Sequence, residues 1–134
     1  MDTFERISES LDRIGAMGID PTAEIYRRLF AARPDLEALF VLDIDGAARG
    51  NMLAKALDCL LDLAGPRAFG AAFILAEAIN HEGIGVTREA YLHFFECIAD
   101  VVRETNRQSW TDADEEAWRQ ALNEVCRLLA SPGV

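Results

Sequence analysis

The apolar residues of this chain recur at three- and four-residue spacing from one end to the other, and each such run is closed by a glycine, a proline or a capping side chain. No run alternates apolar and polar residues between turn signals, so the signature of a strand is missing. A chain patterned this way reaches a core by packing helix on helix, and the expected fold class is all-α.

The first stripe, Phe4, Ile7, Leu11 and Ile14, predicts a helix over Thr3 to Met17 that Gly18 ends. Asp20 before Pro21 predicts the next start, a capping acid with proline at the first helical position, leading into Ile25, Tyr26, Leu29 and Phe30. Pro34 breaks or redirects that helix, and a short turn, Asp35 to Phe40, leads to the connection through Asp43, Asp45 and Gly46. Helices are then expected over Ala47 to Leu63, stopped by Gly65 and Pro66, and over Arg67 to Glu82, interrupted by Gly83 and Gly85. Thr87 caps a helix that carries Tyr91, Phe94, Phe95, Ile98, Val101 and Val102. Thr111, followed by Asp112, Asp114, Glu115 and Glu116, opens the last helix with acids where the helix dipole favours them. No internal repeat or low-complexity segment interrupts the series.

A length of 134 residues suits one domain, expected over 1–134. With 13 Lys and Arg against 23 Asp and Glu, the formal charge of −10 repels nucleic acid and anionic lipid. The longest apolar stretch, Phe69 to Ala76, lies between Arg67 and Glu77, short of the ~20 residues of a membrane helix. Met1 to Ser10 carries acids and no apolar run, so no secretory signal is read there and a cytoplasmic location is expected.

Chemistry-bearing residues are few. Cys59, Cys97 and Cys126 have no close pair and sit in apolar helical contexts, which predicts buried free thiols. Neither a Cys-x-x-Cys pair, nor a glycine-rich phosphate loop, nor a Gly-x-Ser-x-Gly elbow is present, so nucleophilic catalysis lacks support. Asp43 and Asp45 supply too few oxygens for calcium, which takes six to eight. His93 reads as an exposed or partner-facing residue, on a different face of its helix from Tyr91. His81 differs from these: it ends a long apolar helix just before a glycine pair, with Ile74, Glu77 and Ala78 behind it on the same face.

These residues fall into a known layout. Tyr26 in Ile25-Tyr26-Arg27-Arg28-Leu29-Phe30, then Arg33-Pro34-Asp35-Leu36 and Leu39-Phe40, resembles the globin segment that carries the distal tyrosine and the phenylalanine at the haem corner. Arg49 stands at the family's distal-pocket position with Met52 and Leu53 after it, and His81 follows at the family's spacing for the proximal iron ligand. His81-Glu82-Gly83-Ile84-Gly85-Val86 with Tyr91 is similar to the proximal histidine, its turn and the proximal tyrosine. Trp110-Thr111 and Ala117-Trp118 look like the opening of the last helix. The chain thus resembles a globin of the bacterial single-domain or flavohaemoglobin type over nearly its whole length.

The resemblance implies a globin fold around haem b (iron protoporphyrin IX), with His81 as the metal ligand. It implies a slot walled by Phe30, Phe40, Leu53, Leu57, Val86 and Phe94, with Tyr91 beside the proximal histidine. On the distal face the Tyr26 hydroxyl would donate to a bound gas, while Arg49 would add a second donor or grip a haem propionate. The implied function is reversible binding of dioxygen, nitric oxide or carbon monoxide by a monomer or weak homodimer. The alternatives are a nitric oxide or peroxide detoxifying oxidoreductase served by an external reductase, and a haem-free sensor or interaction module.

Four departures qualify the family pattern. Ile84 replaces an aromatic in the turn, and Arg49 replaces the usual glutamine or histidine. Glu77 stands where leucine packs on the proximal ring and either points to solvent, the favoured reading, or hydrogen-bonds the imidazole, which would make His81 a stronger electron donor. The chain closes at Ser131-Pro132-Gly133-Val134 without the late glutamate of flavohaemoglobins and without a flavin or nicotinamide domain, so electrons for turnover would come from a separate reductase.

Overall fold

The computed structural model describes residues 1–130. The terminal Ser131-Pro132-Gly133-Val134, where the resemblance expects a late glutamate that the sequence lacks, lies outside the described residues. Six α-helices and one 3-10 segment make up the described chain: α1 (Thr3–Ala16), α2 (Thr22–Ala32), the 3-10 segment Pro34–Phe40, α3 (Ala47–Ala64), α4 (Gly70–Glu82), α5 (Arg88–Thr105) and α6 (Asp112–Leu129). No strand occurs among the described residues, in agreement with the periodicity.

Side chains named from the sequence set most of the boundaries. Gly18 ends α1 with φ 71°, a left-handed conformation that favours glycine. From it the Ile19 amide reaches back to the Ile14 carbonyl at 3.3 Å and the Gly18 amide to Gly15 at 3.0 Å, the paired bonds of a Schellman ending. Asp20 accepts from the Thr22 amide at 3.0 Å and the Thr22 hydroxyl at 2.6 Å, and Pro21 already has helical angles, so the expected start of α2 holds. Thr87 accepts from the Ala90 amide at the start of α5. Thr111 and Asp114 exchange bonds as a capping box at the start of α6.

One boundary differs from its expectation. The helix predicted from Arg67 begins at Gly70, because residues 66–69 are drawn into a corner around Asp62 at the end of α3. The Asp62 carboxylate accepts from the amides of Ala68 at 2.9 Å, Phe69 at 3.1 Å and Gly70 at 2.7 Å. It caps α4 from another helix. A Cβ on Gly70 would lie 2.9 Å from the Cys59 carbonyl oxygen, so only glycine permits this approach. Burial works against the charged form of Asp62, but the three amide donors outweigh it and hold the carboxyl below its ordinary value near 3.8.

The buried residues form one cluster drawn from all six α-helices. Helix α5 is central to it, packing on α1, α2, α4 and α6, while α3 packs on α1, α2, α4 and α6. Phe95, Trp118, Ile7, Leu60 and Ile74 are fully enclosed. The buried Trp118 indole donates to the Ser10 hydroxyl at 3.0 Å, and Asn106 donates to the Ser10 carbonyl at 3.1 Å, joining α1, α6 and the end of α5. Such buried polar groups are stable only when every donor finds a partner. No described helix is long and apolar enough to cross a membrane. All three cysteines are free, but only Cys59 and Cys97 are buried; Cys126 is exposed, contrary to expectation, because it sits one residue past the core-facing Val125 on α6.

Replacing Asp62 by Ala is expected to lower the urea midpoint measured at neutral pH. The folded carboxyl is held below its unfolded value, so its contribution is complete above about pH 4 and fades as pH falls through the folded value. The gap between the two urea midpoints should therefore close on acidification; a gap that stays constant to pH 2 would show that the corner is not held by this charge.

Candidate functional site

Between α2, the 3-10 segment, the start of α3 and the α4–α5 turn lies a cavity of about 400 Å³. Tyr26 and Leu29 contribute from α2, Phe40 from the 3-10 segment, Met52 from α3, His81 from α4, and Tyr91 and Phe94 from α5. A smaller cavity of about 190 Å³ continues between α3 and α4 and shares Met52, His81, Tyr91 and Phe94 with the first. His81 is therefore common to both.

The last turn of α4 fixes His81 closely. Its ring is 18% exposed and lies stacked on Tyr91, with centroids 4.9 Å apart and planes at 19°. Nδ1 is 2.7 Å from the Glu77 carbonyl oxygen. A carbonyl only accepts, so Nδ1 carries the proton and Nε2 is left with its lone pair, the form that ligates a metal. The Ile84 and Val86 amides both return to the His81 carbonyl, at 3.0 and 2.9 Å. This closes the turn through Gly85, whose φ is 89°, and brings Val86 to the cavity wall.

Glu77 is not simply in solvent. Its side chain is 32% exposed and lines the smaller cavity, with Oε2 3.7 Å from His81 Nδ1 and Oε1 accepting from Asn80 at 3.2 Å.

Opposite the turn, Tyr26 is buried in a cluster of rings, with centroids 5.7 Å from Phe30, 5.5 Å from Phe40 and 5.4 Å from Phe94. Its hydroxyl donates to the Arg49 carbonyl at 3.2 Å, a long bond for a hydroxyl donor. Burial pushes the hydroxyls of both Tyr26 and Tyr91 well above the ordinary phenol range.

Arg49 turns the other way: Nε donates to the Asp43 carboxylate and Nη2 to the Asp43 carbonyl, each at 2.9 Å. Its side chain lines an outer cleft rather than either of the two cavities that hold His81. Asp43 also accepts from the amides of Ala48 and Arg49, and these bonds, the Ala48 amide first, hold its carboxyl below the usual range. Asp43 and Asp45 thus cap α3, and no group of three or more metal-ligating side chains occurs among the described residues.

Of the walls inferred from the sequence, Phe40, Val86 and Phe94 line the larger cavity beside Tyr26, His81 and Tyr91. Phe30 lines the outer cleft, and Leu53 and Leu57 pack with the core and line neither cavity. On α3 Ala48, Met52 and Ala56 line the two cavities; one residue along an α-helix is about 100° of rotation, which carries Leu53 and Leu57 off that face. Spacing on α3 alone leaves this rotation open. Leu39, Leu42 and Ile84, missed as lining residues, form the cavity mouth and are 47%, 89% and 62% exposed. His93 is half-buried at the helix surface, 3.3 Å from Glu96 and 3.7 Å from the Cys97 sulfur.

The family model described as Globin matches residues 23–129, from α2 to the end of α6. The chain belongs to the globin family. No curated protein and no solved structure matches it. Its six α-helices and 3-10 segment are accordingly an all-α globin fold. Globins typically hold haem and a diatomic gas, and the residues present fit that group on three observations. The His81 tautomer leaves Nε2 as the available donor, the enclosing walls are aromatic and aliphatic, and the large side chains at the mouth are uncovered.

An alkaline titration of this globin tests the burial of its two tyrosines. Phenolate absorbance should stay absent past pH 10 and then appear together with unfolding, since the unfolded chain releases protons that the folded one retains and stability falls as pH rises. Phenolate formation near pH 10 with the fold intact would show that the rings are open to water.

Proposed function

We propose that this globin binds haem b through His81 and reversibly holds a diatomic gas, dioxygen foremost, on the Tyr26 side. The observation that carries the reading is the fixed tautomer of His81 at the edge of an apolar cavity: Nδ1 is committed to the Glu77 carbonyl, so Nε2 is the nitrogen available to iron. Haem supplies the iron centre at which a diatomic gas is taken up.

The chain's own residues then have separable tasks. Tyr91, stacked on the His81 ring, keeps the imidazole from rotating out of line. Leu39, Leu42 and Ile84, uncovered at the mouth, would lose contact with water against an apolar plate, which favours uptake by the hydrophobic effect. Phe40 and Phe94 exclude water, which strengthens every polar contact within the slot. Tyr26 exchanges its long bond to the Arg49 carbonyl for a hydrogen bond to the gas, a small cost because the bond given up is near the limit of hydroxyl geometry. Arg49, held by Asp43, positions the carbonyl that keeps Tyr26 oriented meanwhile.

Protein produced with haem supply should show a Soret band that shifts when the reduced form meets carbon monoxide. His81→Ala should lose the band, and added imidazole should restore part of it by filling the vacated position. A featureless spectrum for the unaltered protein would sink the haem reading and leave a globin fold put to protein interaction. If haem is bound, steady nitric oxide consumption with a supplied reductase would move the reading from gas binding to turnover.

A further inference from the structure

We propose that Glu77 is a positioning residue for His81, its carboxylate biasing the imidazole toward electron donation and so favouring the ferric state. The inference rests on the haem reading and concerns a residue that the binding scheme does not need. Three observations carry it. Glu77 and His81 are one turn apart on α4, and Oε2 lies 3.7 Å from Nδ1, beyond hydrogen-bond range but close enough to act through its charge. The carboxylate is oriented, because Asn80 donates to Oε1 at 3.2 Å and Oε2 is the oxygen nearer the ring. The ring is held as well, stacked on Tyr91 and bonded through Nδ1 to the Glu77 carbonyl at 2.7 Å.

The Nδ1 proton therefore faces two oxygens of one residue, a neutral carbonyl that sets its direction and a carboxylate that draws it further from the ring. Electron density left on the imidazole passes to the metal through Nε2, and a more electron-rich ligand stabilises the higher oxidation state. The carboxylate is one-third exposed, so solvent and salt screen its charge. Its effect belongs at the low end of what an outer partner contributes to a metal site, about tenfold.

The test is the midpoint potential of the haem-loaded protein by spectroelectrochemistry, with the resonance Raman stretch between ferrous iron and His81 as a second readout. Glu77→Gln keeps the shape and the carbonyl and removes only the charge. It should lower the ferric-to-ferrous ratio at a fixed potential about tenfold, and move the stretch to lower frequency, with the Soret band retained. Glu77→Asp, which restores the charge, should recover the greater part of both shifts.

A potential and stretch in Glu77→Gln equal to those of the unaltered protein would overturn the proposal. So would a Glu77→Asp variant that shifts as far as Glu77→Gln, which would assign the effect to packing. Loss of the Soret band in Glu77→Gln alone would also overturn it, making Glu77 a determinant of retention instead. Absence of the band in the unaltered protein would refute the haem reading itself before any variant is compared.

Discussion

One carboxylate and three amides fix the corner on which the rest of the site depends. Asp62, at the end of α3, gathers the amides of Ala68, Phe69 and Gly70 and so decides where α4 begins and how it leaves α3. Because α4 rises in 5.4 Å turns from that point, the corner also decides where His81 stands, three turns later, relative to Met52 on α3. A helix start left to itself would have four amides without partners. Here Asp62 of the preceding helix takes two of them, the amides of Phe69 and Gly70, and the gap between α3 and α4 becomes part of the slot.

The opposite wall is set by a second carboxylate. Asp43 accepts two amides at the start of α3 and also holds the Arg49 side chain, so one residue caps the helix and turns the guanidinium away from the cavities that hold His81. The Arg49 carbonyl is then free to receive the Tyr26 hydroxyl. Local capping and the arrangement of the polar residues are thus one set of hydrogen bonds. No buried side-chain polar atom among the described residues lacks a partner, which is the condition for keeping Tyr26, Ser10, Asp62 and Asn106 in an apolar interior.

Much of this was legible in the sequence because capping and periodicity act locally. Gly18, Asp20, Thr87 and Thr111 each mark their boundary with a residue type whose backbone or side chain does the marking, and the structure places those boundaries where they were read. The globin resemblance likewise rested on residues whose order along the chain carries information: Tyr26, His81, the turn to Val86 and Tyr91. What local signals leave open is rotation and capture at a distance. Nothing near Arg67 shows that its helix will be delayed to Gly70, since the cause is a carboxylate on another helix. Nothing on α3 distinguishes the stripe of Met52 from that of Leu53, both apolar and adjacent, until α4 and α5 select one.

The sequence by itself determined the fold class, the helix ends other than the start of α4, and the residues at which a haem-type ligand set is sought, because each of these follows from spacing and from the short-range chemistry of single residues. The tertiary structure alone decided which nitrogen of His81 is available, that Arg49 faces away from the cavities, that the Glu77 carboxylate stands 3.7 Å from Nδ1, and that Leu42 and Ile84 lie uncovered at the mouth. These depend on which atoms from distant parts of the chain meet, and a hydrogen bond or a burial has no value until both sides of the contact are in place.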